Sequence, residues 1–247
     1  MKAEPGLGAS AVGKLAGASG FSATTEGQRT ARPPSAPPNL IETIRIEHDG
    51  TLPLLDGHLE RLRRSCQALG HRWPGELEIR ARVKQRATGL NVGRAWRLRL
   101  LLAPDGGLTL EHGPLETLRD PLHVIVAGPR ASGASEWLRH KTTHRPWYQD
   151  ATRWLAEHPD VFDILYWNEN GEMCEGSRSN LYMQRSDGRW LTPPLESGAL
   201  PGVQRNALLR AGRVEEAPIS CDEFLQAPAW RISNALRGWR DAAQAQA

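Results

Sequence analysis

Lysine is scarce in this chain, and one of its lysines stands where an amine could do chemistry. Of the 31 basic side chains only four are lysines: Lys2, Lys14, Lys84 and Lys141. Arginine stays protonated at working pH and cannot form an imine, whereas a desolvated lysine can lose its proton and attack a carbonyl. Lys2 and Lys14 fall in a segment with little to bury, which leaves Lys84 and Lys141 in the foldable region. Lys84 reads as an incidental surface amine. Lys141 lies in His140-Lys-Thr-Thr-His-Arg-Pro-Trp-Tyr148, just ahead of a helix. His140, His144 and Arg145 crowd it, and like charges disfavour the ammonium and lower its pKa. A surface lysine at a helix start is the plainer alternative for this segment taken alone.

Three further segments supply complementary chemistry. Gly171-Glu-Met-Cys-Glu-Gly-Ser-Arg-Ser-Asn-Leu-Tyr182 reads as turn, short strand, polar loop and strand. It places Glu175 at a strand end beside small residues, where a carboxylate can face a ligand or else remain a solvated loop acid. Leu195-Glu-Ser-Gly-Ala-Leu-Pro-Gly-Val-Gln-Arg205 sets Pro and Gly where a helix begins. Free backbone N–H groups at such a start suit an anion. Ser233-Asn-Ala-Leu-Arg-Gly238 follows a strand with a tight polar turn and adds a second set of amides. An amine, a carboxylate, a basic helix face and two amide-rich turns are the parts that pyridoxal 5'-phosphate requires. The lysine forms the imine, the carboxylate keeps the pyridine nitrogen protonated, and the amides with an arginine take the phosphate. Glu136, His140 and His144 are spaced four apart, but there is no HExxH arrangement and no defined helix to align them, so no metal site is expected.

The elements that must position these residues follow from the pattern along the chain. Residues 1–38 are rich in Gly, Ala, Ser, Thr and Pro and read as a disordered tail or linker. Leu40–Ile46 reads as the first strand. Leu55, Leu59, Leu62, Cys66 and Leu69 recur at helical spacing, with Asp56 at the start and Gly70 at the stop. The opposite faces of that helix hold Glu60, Arg61, Arg63 and Arg64. A second helix covers Leu77–Ala87. Strands follow at 95–102 and 108–112, joined by Pro104-Asp-Gly-Gly107, and at 123–127. Residues 128–139 read as a connecting loop and 147–157 as helix. Further strands fall at 162–167, 180–183, 190–192 and 231–234, and a helix begins after Pro201. Short strands joined by tight turns predict an α+β fold of two sub-domains, 39–128 and 129–247, without regular βαβ alternation.

Composition narrows the function class. Hydrophobic residues at 39% and charged residues at 24% make an ordinary globular balance. The net charge of +3 is small and the arginines are scattered, so the clustered charge of a nucleic-acid binder is missing. Three cysteines without a CxxC spacing read as reduced thiols of a cytoplasmic protein. No apolar run approaches the ~20 residues needed to span a bilayer, so no membrane partner is expected.

In combination and order, six or more of these segments resemble the fold-type IV pyridoxal-phosphate enzymes, the class-IV aminotransferase family. The resemblance rests on Leu40-Ile-Glu-Thr-Ile-Arg45, His58-Leu-Glu-Arg-Leu62, His140-Lys-Thr-Thr-His-Arg145 and Glu175-Gly-Ser-Arg-Ser-Asn-Leu-Tyr182. Thr192-Pro-Pro-Leu195, Leu200-Pro-Gly-Val-Gln-Arg205 and Asn234-Ala-Leu-Arg237 complete it, and it spans residues 40 to about 240. It implies a D-amino acid aminotransferase-like α+β fold, with Lys141 as Schiff-base lysine and proton shuttle. Glu175 is then the partner of the pyridine nitrogen, and Arg61 a phosphate ligand. Val203 and Gln204 are implied as amide donors at the helix start, and Asn234 and Ala235 at the second phosphate turn. Arg145 is implied to meet a substrate carboxylate. Many family members carry a hydroxyl where this chain has Gln204 and Ala235, so Ala235 can offer only its amide. Within the family the segments are most similar to aminodeoxychorismate lyases, especially the lyase module fused behind aminodeoxychorismate synthase. That implies cleavage of 4-amino-4-deoxychorismate to 4-aminobenzoate and pyruvate on the folate route. The alternatives are a branched-chain or D-amino acid aminotransferase of the same fold, or a non-catalytic partner of the synthase. A homodimer is also implied.

Overall fold

Two sheets divide the chain. The computed structural model describes Phe21, Pro34 and residues 36–90, 93–129 and 136–245. The first sheet has three antiparallel strands in sequence order: β1 (Leu40–Ile46), β2 (Trp96–Leu102) and β3 (Leu108–Pro114). Along β1 burial alternates strictly, so Leu40, Glu42, Ile44 and Ile46 share the inner face and Ile41, Thr43 and Arg45 the other. Helix α1 (Leu55–Leu69) covers that inner face through the expected stripe of Leu55, Leu59, Leu62 and Cys66. Gly70 ends the helix in the left-handed conformation at φ 68° and donates its N–H to the Cys66 carbonyl. Helix α2 (Glu76–Thr88) adds Ile79, Val83 and Ala87 to the same core.

One assignment on α1 needs correction. Glu60, Arg63 and Arg64 are exposed as expected, but Arg61 is buried, as are His58 and Ser65. These three, at spacings of three and four, form a polar stripe beside the apolar one. The interior they enter is the space between the two sheets, which the periodicity of a single helix does not reveal.

The second sheet has eight strands: β4 (Leu122–Val126), β5 (Asp163–Trp167), β6 (Met173–Gly176), β7 (Asn180–Gln184), β8 (Trp190–Thr192), β9 (Glu215–Glu216), β10 (Trp230–Asn234) and β11 (Gly238–Gln244). They lie in the order β6-β5-β4-β11-β10-β7-β8-β9. Strand β4 runs parallel to both β5 and β11, while the β10–β11, β10–β7 and β7–β8 pairs are antiparallel. The sheet curls strongly: the Gly176 N–H at the end of β6 donates to Ser179 O at 2.7 Å, linking two strands far apart in the order. Helix α3 (Gln149–Glu157) lies in the crossover from β4 to β5, α4 (Val203–Arg210) packs against α1 and β10, and α5 (Cys221–Gln226) precedes β10.

The result is an α+β fold of two sub-domains. Strand β4 belongs to the large sheet, so the change from one sheet to the other falls in residues 115–121, ahead of the expected division at 128. Strand β11 and helix α5 were not expected. Helix α5 does carry a legible signal, a capping box in which the Ser220 hydroxyl accepts the Glu223 N–H. Most of the expected tail lies outside the described residues. Phe21, within it, is buried edge-on against Trp154, with ring centroids 5.8 Å apart.

Candidate active site

A cavity of about 470 Å³ opens between the sheets, walled by β1, α1, the start of α4 and the β6–β7 and β10–β11 turns. Lys141 enters it from a segment pinned on both sides. The Ile41 N–H donates to the Lys141 carbonyl at 2.8 Å, Thr142 bridges to Leu40, and the Thr143 N–H donates to Asn39 O at 2.9 Å. His140 Nδ1 lies 2.9 Å from the Ser65 hydroxyl on α1. The Lys141 backbone therefore extends the β1 ladder, and its side chain reaches across toward the large sheet. Burial, then the charges of Arg145 and Arg61, push the Lys141 pKa down to about 7, against the opposing pull of Glu42 and Glu175. The lysine is thus poised to act as a neutral amine near neutral pH.

Glu175 sits on β6 and is buried. Its two oxygens are held separately. The Tyr148 hydroxyl donates to Oε1 at 2.6 Å, and the Leu200 N–H donates to Oε2 at 2.9 Å. Tyr148 is itself buried just before α3. A carboxylate so fixed can face a ligand cation without swinging away.

Arg61 is held by a bidentate pair with Glu42: Nε donates to Oε1 at 2.8 Å and Nη2 to Oε2 at 2.5 Å. His58 Nδ1 lies 2.6 Å from the same Oε2. Burial would raise the Glu42 pKa, but the charge and hydrogen bonds of Arg61, joined by His58, hold it down at about 2. Arg61 Nη1 has only a long contact, 3.4 Å, to Pro201 O. Pro201 immediately precedes Gly202, the N-cap of α4.

At that helix start the first N–H groups have no carbonyl behind them to bond, and Val203 lines the cavity. Gly202 is required there: a Cβ would overlap the side-chain oxygen of Asn180, whose amide donates to Leu200 O at 2.9 Å. Across the cavity Asn234 and Ala235 form the β10–β11 turn. Asn234 Oδ1 accepts the N–H groups of Leu236 at 3.1 Å and Arg237 at 2.9 Å, and its amide donates to Arg178 O at 3.2 Å.

Arg145 lines the same space, with its guanidinium 4.6 Å above the Tyr148 ring and Nη2 donating to Ser177 O at 2.8 Å. Buried Asp163 braces that turn, accepting the hydroxyls of Ser177 at 2.6 Å and Ser179 at 2.5 Å. The cavity thus gathers Lys141, Glu175, Arg61, Val203, Asn234, Ala235 and Arg145. It does not gather Gln204, which follows Val203 on α4 without lining the wall; at 3.6 residues per turn the two side chains diverge. His140 and His144, considered above as metal ligands, have other neighbours: Ser65 for the first, and the rings of Trp137 and Trp147, 5.9 and 6.0 Å away, for the second. The side chain of Glu136 lies outside the described residues.

Arg97, which no motif contains, also lines the cavity, as do Arg178 and Arg237, which stand inside quoted motifs without an expected role. Glu42 and His58 likewise stand inside quoted motifs without a part. Tyr148 stood at the end of the lysine segment, and its role emerges only once α3 is packed against β5.

This donor set fits pyridoxal 5'-phosphate. A low-pKa lysine and a fixed carboxylate face one space, and an arginine edge meets a helix start that only glycine allows. Fold and site together define an α+β fold-type IV enzyme. Residues 39–245 match the family model Amino-transferase class IV, and the chain belongs to that family of pyridoxal-phosphate-dependent enzymes. It is 31% identical over 181 residues, 72% of this chain and 76% of the other, to a Schizosaccharomyces pombe protein provisionally named an aminodeoxychorismate lyase. It is also 34% identical to a Mesorhizobium loti protein of solved structure, provisionally described as an amino-acid aminotransferase. That match has a TM-score of 0.74 and covers 84% of this chain and 99% of the other. A Thermotoga maritima structure, provisionally a branched-chain amino acid aminotransferase, shares the fold at 23% identity and TM-score 0.70, covering 84% of this chain and 76% of the other.

Proposed function

We propose that this enzyme is a 4-amino-4-deoxychorismate lyase, releasing 4-aminobenzoate and pyruvate. The observation that carries the reading is the charge of the cavity wall. Arg97, Arg145, Arg178 and Arg237 line it beyond Arg61, and among the described residues none of the four is held in a close side-chain ion pair, although Glu116 stands near Arg237. The wall carries five arginines and Lys141 against Glu116 and Glu175, an excess of positive charge that suits a substrate with two carboxylates better than one with an aliphatic side chain. The Schizosaccharomyces pombe relative supports the same choice.

In this reading Lys141 Nζ carries the cofactor, which supplies an electron sink conjugated to the substrate amine when bound. Glu175, fixed by Tyr148 and the Leu200 N–H, holds the pyridine nitrogen protonated. Arg61, the Val203 and Gln204 amides and the Asn234–Ala235 turn bind the phosphate. Arg145 holds one substrate carboxylate. Lys141 Nζ, with a pKa near 7, would act as the base that removes the proton from the amine-bearing ring carbon. The ring would become aromatic as its bond to the enolpyruvyl oxygen breaks, and the proton taken by Lys141 would pass to the departing enolpyruvate, giving pyruvate and 4-aminobenzoate. The protein is taken to act as a cytoplasmic homodimer on the folate route, with an aminodeoxychorismate synthase supplying substrate. Among the described residues no helix is long and apolar enough to cross a membrane.

The test is to incubate the cofactor-loaded protein with 4-amino-4-deoxychorismate and measure 4-aminobenzoate and pyruvate, expected in equal amounts. Absence of 4-aminobenzoate, together with conversion of the cofactor to its pyridoxamine form by leucine or D-alanine alone, would establish the aminotransferase alternative instead.

A further inference from the structure

We propose that Glu42, with His58 behind it, is a positioning residue that sets the plane of Arg61 for the cofactor phosphate; this rests on the phosphate role of Arg61 proposed above. Strict alternation on β1 puts Glu42 on the face otherwise made of Leu40, Ile44 and Ile46, where it is 2% exposed. A carboxylate there is costly unless paired, and an apolar pair of similar volume would hold the fold as well. What the carboxylate adds is direction. Its two oxygens take Nε and Nη2, one whole edge of the planar guanidinium, at 2.8 and 2.5 Å. That leaves Nη1, with one long contact to Pro201 O, as the edge turned toward the start of α4. The same fork that fixes the plane therefore presents the free edge beside the unpaired amides of Val203 and Gln204.

His58 acts through Glu42. It stands one turn before Arg61 on α1, is 1% exposed, and has Nδ1 2.6 Å from Glu42 Oε2. Its Nε2 is buried with no hydrogen-bond partner among the described residues, so its only bond holds the carboxylate.

Charge and geometry predict opposite signs, which makes the idea decidable. Glu42 cancels much of the Arg61 charge, so by Coulomb attraction alone its removal would tighten phosphate binding. If it serves by orientation, its removal loosens phosphate binding. The experiment measures the affinity of cofactor-stripped protein for pyridoxal 5'-phosphate and for pyridoxal, which lacks the phosphate. Both aldehydes react alike with Lys141, so the ratio of affinities isolates the phosphate contribution. Arg61→Met should lower that ratio about tenfold or more, as loss of a charge-assisted bond does. Glu42→Gln should lower it in the same direction, and the double variant should add little to Arg61→Met alone. Should Glu42→Gln fold poorly, His58→Gln and the double variant, which leaves no buried unpaired guanidinium, carry the comparison. His58→Gln should lower the ratio less than Arg61→Met does. A ratio unchanged or raised in Glu42→Gln, or in His58→Gln where that variant stands in, while Arg61→Met lowers it, overturns the positioning role and leaves the phosphate role standing. A ratio unmoved by Arg61→Met removes the phosphate role itself.

Discussion

The Ile41 N–H donates to the carbonyl of Lys141 at 2.8 Å, so this lysine is carried as an extra rung on the small sheet. Glu175, the carboxylate that shares its cavity, is carried by β6 of the large sheet. The two groups are thus anchored on different sheets, and their separation is set by how the sheets pack. Any relative movement of the sheets would move amine against carboxylate directly.

The environment of Lys141 makes a prediction about pH. Its folded pKa, about 7, is below the ordinary 10.5, so between these values the unfolded chain holds a proton that the folded chain has lost. The Lys141 contribution to stability therefore rises with pH across that window and is flat below it. Denaturant unfolding of cofactor-free protein at pH 7, 8 and 9 should show this slope, and Lys141→Met should lack it. Equal slopes in both proteins would mean that the amine is not desolvated.

The clamp on Glu175 is open to direct test. Tyr148→Phe removes the hydroxyl donating to Oε1 at 2.6 Å and changes little else in volume. A lost bond to a charged acceptor is worth about 1.5–3 kcal/mol, so affinity for pyridoxal 5'-phosphate should fall about tenfold or more. A spectroscopic titration that gave an unchanged dissociation constant would show that the Tyr148 hydroxyl is not needed to hold the carboxylate.

Gly202 predicts a substitution rescued by a second one. In Gly202→Ala the new methyl meets the Asn180 side-chain oxygen and shifts the start of α4, at a cost of about 1–3 kcal/mol. Thermal melts should show that loss, and Asn180→Ala in the same chain should recover part of it. If Gly202→Ala melts like the parent, the close approach is not real.

Arg97 and Arg237 should affect the substrate and leave the cofactor alone. Arg97→Leu and Arg237→Leu are each expected to raise KM for 4-amino-4-deoxychorismate about tenfold or more, as loss of a charged hydrogen bond does. Affinity for pyridoxal 5'-phosphate should be unchanged. Steady-state kinetics showing KM intact in both variants would remove the dicarboxylate reading of the wall.

Much of this was legible in the sequence because short motifs kept their local meaning. The β1 strand, the stripe on α1 and its Gly70 stop emerged where the spacing put them, since each is decided by residues within one element. The gathering of Lys141, Glu175, Asn234 and Val203 was legible through their complementary chemistry and the family resemblance, not through spacing, because their approach depends on the packing of two sheets. Arg61 was placed on the wrong face for the same reason: a buried polar stripe looks like a solvated one until the opposite wall is present. Strand β11 escaped because Gly238–Gln244 is partly buried on both faces and has no alternation. Helix α5 is only six residues long, and its capping box was missed.

The central claim is that Lys141 carries the cofactor, and one measurement reaches it most directly. Protein reconstituted with pyridoxal 5'-phosphate can be reduced with borohydride, digested and mapped by mass spectrometry. The pyridoxyl group should be found on the peptide containing Lys141, and be lost in Lys141→Ala along with the visible absorbance of the bound cofactor. A label on Lys84, or an undiminished spectrum in Lys141→Ala, would contradict the account.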